Sequence, residues 1–367
     1  MWTINKEKTW AALSRYDWVQ DMHGVPQSPV HHAEGDVATH TQMVIAALEQ
    51  LDEYKAMPGQ AQEILWAAAL MHDIEKRSTT TTDEKGNITS PGHAKKGAMT
   101  CRQLLYRDIT APFAIREDIV GLVRHHGLPL WVFYKEQPVQ TLLKASMEVN
   151  TEWVYSLAKA DILGRICTDK DELLYRIEMF KELCIEHDCW GKEKQFGSSL
   201  GKFRYFQKTD QSPGFVPFDD TTTEVVIMSG IAGSGKDHYL QRHHKDWPVI
   251  SLDDMRRKQK VDRNDSKGNG RIIQAATEQA KQYLRNGEPF AWNATNITRQ
   301  MREQLINVFA VYRPRIKLVY IEVPYDTLCR QNKAREYPIP INALDRMVDK
   351  LEVPKNWEAN EVEYVVV

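Results

Sequence analysis

The chain has 367 residues, too many for one typical domain, so two or three are expected. Its 48 basic and 50 acidic side chains leave a formal charge of −2, which excludes a protein that coats nucleic acid by bulk positive charge; any contact with a strand must be local. The five cysteines (Cys101, Cys167, Cys184, Cys189 and Cys329) form no C-x-x-C pair, and no run approaches about 18 apolar residues, so reduced thiols in a cytoplasmic protein with no membrane span are expected.

From Trp10 to about Asp188 the chain reads as helix after helix. Apolar residues at helical spacing predict helices over 37–51, 61–71, 94–106, 115–123, 142–149 and 151–166, and strand-like alternation is scarce. An all-α domain is expected over residues 1–190. Cys184, His187 and Cys189 could form a metal cluster, but the spacing favours a helix face.

Histidines and carboxylates recur within this helical half. His40 follows HHAEGDVAT, His72-Asp73 ends the apolar segment ILWAAALM, and Asp161 stands in LAKADILGR on an otherwise apolar helix. Buried imidazoles and carboxylates need a compensating partner, and a divalent cation supplies one. His40, His72, Asp73 and Asp161 suit one ion. His93 with His125 or His126 suits a second, with Asp73 bridging. Two such ions would polarise a phosphate and generate a hydroxide near neutral pH. Imidazole and carboxylate ligands leave Mn, Fe, Co, Ni and Zn open.

The pattern His40…His72-Asp73…His93…His125-His126…Asp161 resembles the HD-domain phosphohydrolases, a metal-dependent, all-helical superfamily, across most of residues 20–170. HAEGDVATHT, residues 32–41, is similar to the opening of HD modules in tRNA nucleotidyltransferases, which makes His32 a further candidate ligand or substrate contact. HDIEK resembles the family's H-D-x-x-K, implying that Lys76 faces the substrate phosphate. Lys96 and Arg165 could do the same.

Between Trp190 and Thr223 the helical periodicity stops and Gly, Ser and Pro accumulate, which predicts a linker over 191–222. Within it Lys202, Phe203, Arg204, Tyr205 and Phe206 interleave charge with rings. Such a stretch can stack on a single strand or pack against a domain, and packing is the favoured expectation.

From Glu224 strand and helix alternate. EVVIMS, PVISL, residues 289–292 and residues 316–323 predict four strands, with helices over 272–284 and 299–309 between them. That order predicts a parallel sheet covered by helices over residues 223–367. GIAGSGKD, Gly230 to Asp237, follows the first strand directly. Gly230, Gly233 and Gly235 permit the tight turn that aims backbone N–H groups at phosphate oxygens, Ser234 lies within the loop, and Lys236 reaches the β/γ-phosphates. Asp237 stands where G-x-x-x-x-G-K-[ST] has a hydroxyl; a carboxylate there can still meet Mg²⁺ through a water. An NTP (ATP or GTP) with Mg²⁺ is the expected ligand.

Ligands in such sheets bind beyond the carboxyl ends of the strands. SLDDMR places Asp253 and Arg256 there, a base for an attacking hydroxyl and a cation for an acceptor phosphate. NATNITR follows the third strand, and LCRQNKAREYP follows the fourth with Arg330, Lys333 and Arg335 as lid cations. The order P-loop, DDxxR, NATNxxxR, RxNxxR resembles the 5′-OH polynucleotide kinases over about residues 223–360. The resemblance implies that Asp253 is the general base, that Arg256 holds the acceptor's 3′-phosphate, and that Arg330 and Arg335 close over the transferring phosphoryl group.

Residues alone also fit a nucleotidase joined to a small-metabolite kinase, or a kinase regulated by a metal-bound sensor. Taken whole, the chain resembles the bifunctional HD-Pnk end-healing enzymes, an all-α HD domain followed by a P-loop parallel sheet. That implies action on RNA strand ends, with DNA ends also open, and a working partnership with an RNA ligase. A homodimer is compatible with it.

Overall fold

Asp36 starts the first long helix: its side chain accepts the Thr39 amide at 2.8 Å, an N-cap for α1 (Val37–Gln50). Val37, Thr41, Val44 and Leu48 then bury one face, the three-to-four spacing of an amphipathic helix, and His40 lies among them. α2 (Gly59–Met71) is buried on every side from Ile64 to Met71, as befits the central helix of a bundle. Around it stand α3 (His93–Gln103), α4 (Phe113–His125), α5 (Pro138–Ser146), α6 (Thr151–Leu163) and α7 (Lys170–Glu186). α2 packs on α1 and α4, α3 on α4, and α6 on both α1 and α7. The helix expected over 94–106 ends at Gln103 and continues as a π turn, Leu104–Asp108.

The computed structural model describes residues 1–207, 211–262 and 265–367. It forms two compact units, Met1–Gln195 and Phe196–Val367. The second begins within the predicted linker, of which Lys208, Thr209 and Asp210 lie outside the described residues. α8 (Ser199–Gln207) falls in that stretch and buries Phe203, Tyr205 and Phe206. Phe203 joins the apolar cluster of Val225, Ile227, Trp292 and Phe309, so these rings serve packing, as favoured from the sequence.

The second unit is a parallel sheet of five strands: β1 (Glu224–Ser229), β2 (Val249–Ser251), β3 (Phe290–Asn293), β4 (Arg315–Glu322) and β5 (Glu361–Val366), in spatial order β2-β3-β1-β4-β5. β1 and β3 are buried almost throughout, and β4 is buried from Leu318 to Glu322, as strands covered on both faces are. The covering helices are α9 (Lys236–His243), α10 (Leu252–Lys258), α11 (Ser266–Asn286), α12 (Arg299–Ala310), α13 (Tyr325–Lys333) and α14 (Ile341–Asp349). Four strands were expected; β5 is the fifth. Its side chains are all partly or fully exposed, the weak pattern of an edge strand, yet it pairs with β4 from Lys317↔Glu361 to Glu322↔Val366. Among the described residues no helix is long and apolar enough to cross a membrane.

Candidate metal centre and phosphate-binding loop

In the helical unit four elements converge on Asp73. His72 and Asp73 leave the end of α2, His40 comes from α1, His93 opens α3, and His126 follows α4. His72 Nδ1 lies 2.7 Å from the Ala69 carbonyl, His93 Nδ1 2.8 Å from that of Ser90, and His126 Nδ1 2.8 Å from that of Val123. A carbonyl can only accept, so each Nδ1 carries the proton and each Nε2 presents a lone pair inward.

Those lone pairs have no proton to share. His93 Nε2 and His126 Nε2 face each other at 3.3 Å, with Asp73 Oδ1 3.4 Å from the first and 3.9 Å from the second. Asp73 Oδ2 lies 3.2 Å from His72 Nε2 and 3.8 Å from His40 Nε2, and Asp161 Oδ1 lies 3.1 Å from His40 Nε2. His40 Nε2, His72 Nε2 and Asp73 Oδ1 are buried without a hydrogen-bond partner. Besides His32 and Glu34, which cluster on the outer side of His40, converging acceptors of this kind suit cations in two groups: His40, His72 and Asp161, and Asp73, His93 and His126. Asp73 turns one oxygen toward each group, which suits a bridging carboxylate.

Ionisation agrees. Burial pushes His126 down to about 3, so its ring is neutral. Burial opposes ionisation of Asp73 and Asp161, but Lys76 and Arg165 respectively outweigh it and hold both carboxyls well below their usual range. Neutral imidazole and ionised carboxylate are the ligating forms. Lys76 Nζ lies 2.7 Å from Asp73 Oδ2 and donates to Gln27 Oε1 at 2.7 Å. Arg165 grips Asp161 through Nε at 3.0 Å and Nη2 at 2.5 Å. Of the three predicted phosphate contacts, Lys76 and Arg165 are therefore at the centre, whereas Lys96 is exposed, donates to Ser78 Oγ at 2.7 Å and pairs with Glu75 Oε2 at 3.2 Å.

His125 is not. Its Nε2 lies 3.1 Å from Glu148 Oε2, so of the histidine pair only His126 faces the ligand groups. Adjacent residues at the end of a helix point about 100° apart, and only one can enter the cavity. His32 sits one step out: its Nδ1 lies 2.8 Å from Glu34 Oε1, and burial pushes it down to about 3.

Glu34 is the residue that the sequence reading missed. The same Oε1 lies 2.8 Å from His40 Nδ1, out of hydrogen-bond alignment but close enough to place its negative charge where backbone carbonyls meet the other three rings. Its Oε2 accepts the Ile166 amide at 2.8 Å, tying the loop to the residues after α6. Gly164 permits that approach, since a Cβ there would meet Val44 N at 2.7 Å. The available signal was a carboxylate six residues before His40 in HAEGDVATH. Glu34→Ala is expected to weaken metal binding by about 10- to 100-fold, the usual effect of losing such a partner, with equilibrium dialysis as the check.

In the second unit Gly230, Gly233 and Gly235 have φ of 143°, 89° and 104°, left-handed conformations that favour glycine. At Gly230 a Cβ would also meet the Ile321 carbonyl at 2.5 Å, because the loop threads past the end of β4. Lys236 Nζ donates to the Gly230 and Ile231 carbonyls at 2.8 and 2.9 Å, folded back onto its own loop. Ser234 Oγ and Arg335 Nη1 are buried without a partner. A lysine, a guanidinium N–H and a hydroxyl around the start of α9 form a donor set that fits phosphate oxygens.

Asp237 is held in place: Asn293, the last residue of β3, donates Nδ2 to its Oδ1 at 2.5 Å. Asn296, with φ of 43°, donates to the Met228 carbonyl at 2.8 Å, and Ser229 Oγ donates to its carbonyl at 3.0 Å, so it shapes the strand ends. Asp253, in the first turn of α10, accepts from Arg256 Nη1 at 2.6 Å, while Arg256 Nε donates to Asn269 Oδ1 at 2.7 Å. Asp253 is near enough to Lys236 to favour its charged form. The two lid arginines differ. Arg335 faces the lysine electrostatically, whereas Arg330 is exposed and donates to Thr327 Oγ1 at 3.2 Å. α13 is anchored beside the loop by Asn332, which donates to the Ile339 carbonyl at 2.7 Å and accepts its amide at 3.0 Å.

Burial lowers Lys236 to about 8, with Arg335 adding to the effect and Asp237 opposing it. Its folded value lies below the unfolded one, so the unfolded chain holds more protons between about pH 8 and 10.5, and stability rises with pH through that window. Phosphate oxygens favour the ammonium. Nucleotide binding at pH 8.5 is therefore expected to take up a large fraction of one proton, seen by calorimetry in two buffers of different ionisation enthalpy. Lys236→Met abolishes that uptake.

The HD-domain family model matches residues 37–152, and the AAA-domain family model matches residues 225–354. The Multifunctional CCA protein of Halorhodospira halophila is 35% identical over 108 residues, covering 29% of this chain and 23% of that protein. Its counterpart in Aromatoleum aromaticum is 32% identical over 110 residues, covering 30% and 24%. The chain thus spans about a quarter of the length of these relatives. A solved structure from Chloroflexus aurantiacus, assigned as a kinase, is similar at 15% identity and TM-score 0.33, over 40% of this chain and 86% of that one. Residues 37–152 are thus similar to HD domains and residues 225–354 to AAA domains, each within its own compact unit.

Proposed function

We propose that the two sites heal opposite ends of a broken polynucleotide. The P-loop unit transfers the γ-phosphoryl group of an NTP, bound with Mg²⁺, to a 5′-OH end. The HD unit hydrolyses a 2′,3′-cyclic phosphate, or a 2′- or 3′-phosphate, on an RNA or DNA strand. RNA cut by transesterification carries these two ends, and a ligase needs the reverse pair, so an RNA ligase is the partner reaction.

The observation that carries the kinase half is the Asp253–Arg256 pair within electrostatic reach of Lys236. Asp253 accepts the proton of the attacking 5′-oxygen as the new P–O bond forms and the nucleoside diphosphate leaves. Arg256, braced by Asn269, holds the acceptor's own phosphate, which a nucleoside or sugar would lack. Lys236 and Arg335 offset the charge that spreads over the transferring group.

In the HD unit His40, His72, Asp73, Asp161, His93 and His126 would hold two divalent transition-metal ions, which supply a hydroxide and polarise the phosphate. Asp73 orients both ligand groups, while Lys76 and Arg165 provide positive charge toward the substrate's oxygens. The test is a pair of assays on one RNA oligomer with a 5′-OH and a cyclic-phosphate end, run beside mononucleotides. Oligomer turnover by both activities supports the reading. Phosphorylation or hydrolysis of mononucleotides alone overturns it in favour of a nucleotidase joined to a metabolite kinase.

A further inference from the structure

Immediately after His126 the chain runs GLPLWVFYK. Leu128, Pro129, Leu130 and Val132 are buried, filling the core with aliphatic groups, and the aromatic residues are left outside. Trp131, Phe133 and Tyr134 are 51%, 43% and 67% exposed, the reverse of what packing alone selects for rings of this size. They lie on a short helix, Leu128–Trp131, and the 3-10 turn that follows it, Val132–Tyr134. The ring centroids of Trp131 and Tyr134 are 5.9 Å apart. Arg176 of α7 places its guanidinium 5.7 Å from the first and 5.2 Å from the second, and pairs with Glu172. Trp131 and Tyr134 thus share one cation beside their rings, and all three rings leave much of their surface to solvent.

The position of this cluster gives it a use. Gly127 follows the ligand-facing His126, and a Cβ built on Gly127 would lie 3.8 Å from Trp131 Cδ1. The aromatic turn therefore packs against the residue that directly follows a ligand of the metal centre. Rings with a neighbouring arginine accept any base by its π-face, without reading sequence.

We propose that Trp131 and Tyr134, braced by Arg176, form with the exposed Phe133 a stacking platform for the 3′-terminal bases of a single-stranded polynucleotide whose end phosphate enters the metal centre. The proposal rests on the polynucleotide reading above. It explains how a chain of net charge −2 holds a strand: by ring faces beside the site, with little need of a basic groove.

The test uses the metal-loaded full chain and cyclic-phosphate-ended substrates from one to about four nucleotides long, with a Trp131→Ala/Tyr134→Ala double variant. The expected result is a KM ratio, variant over wild type, that grows with length to about 10-fold or more, with kcat within about twofold. An equal change at every length, or none, overturns the platform. As a second measurement, wild-type protein is photocrosslinked to an oligomer carrying 4-thiouridine near its 3′ end. Adducts on residues 131–134 support the platform, and adducts confined elsewhere overturn it. Crosslinking needs no turnover, so absence of hydrolysis on every substrate would sink the proposed reaction and leave the platform to be judged by the adducts. If sedimentation showed a dimer that the double variant splits, with KM ratios unchanged, the surface would be a protein contact and the proposal would fail.

Discussion

Asp253→Ala is expected to slow phosphoryl transfer by about 10²- to 10⁴-fold, the range a positioned general base supplies, while hydrolysis at the metal centre stays within about twofold. Asp253 sits in the first turn of α10, after Ser251 has capped that helix by accepting the Asp254 amide at 3.2 Å. Removing the carboxylate leaves that cap intact, and the lost Arg256 pair is partly exposed, so the fold survives. The loop is supported separately, by the Asn293–Asp237 bond and the contacts of Lys236. The loss should therefore fall on kcat with the nucleotide's KM almost unchanged. Arg256→Ala should instead raise the KM of the oligonucleotide, because its guanidinium is held toward the acceptor side by Asn269. A rise in nucleotide KM for Asp253→Ala would place Asp253 in the nucleotide site and refute its role as the base.

Much of this was legible in the sequence because each signal had a local cause. The glycines of GIAGSGKD are required by φ values of 143°, 89° and 104°. His72-Asp73 could be placed since an apolar run ends on it. What escaped depends on contacts across the fold. Glu34 matters through two imidazoles and an amide 132 residues away, and nothing in its own neighbourhood marks it. The choice between His125 and His126 turns on Glu148, whose position at the end of α5 no spacing rule gives. β5 was overlooked because an edge strand shows little alternation. Arg330 and Arg335 look equivalent in LCRQNKAREYP, but the helix ends at Lys333, so only Arg335 bends back toward the loop.

Asp73→Asn should abolish hydrolysis, by about three orders of magnitude or more, and leave the kinase intact. An isosteric amide is the better probe than alanine here. Asp73 is buried against Lys76 Nζ at 2.7 Å, and an asparagine Oδ1 can still accept from that ammonium, whereas alanine would remove the acceptor and open a cavity as well. Asparagine keeps the volume but loses the charge that lets one residue serve both ligand groups. The several kcal/mol of charge stabilisation that bound metal supplies then go with it. Metal content by mass spectrometry separates the possibilities. Loss of one or both ions together with hydrolysis fits a bridging ligand. Full metal occupancy with hydrolysis lost would mean that Asp73 handles a proton and is not a ligand. Loss of both activities in a folded variant would show that the two sites depend on each other, against two independent reactions on opposite strand ends.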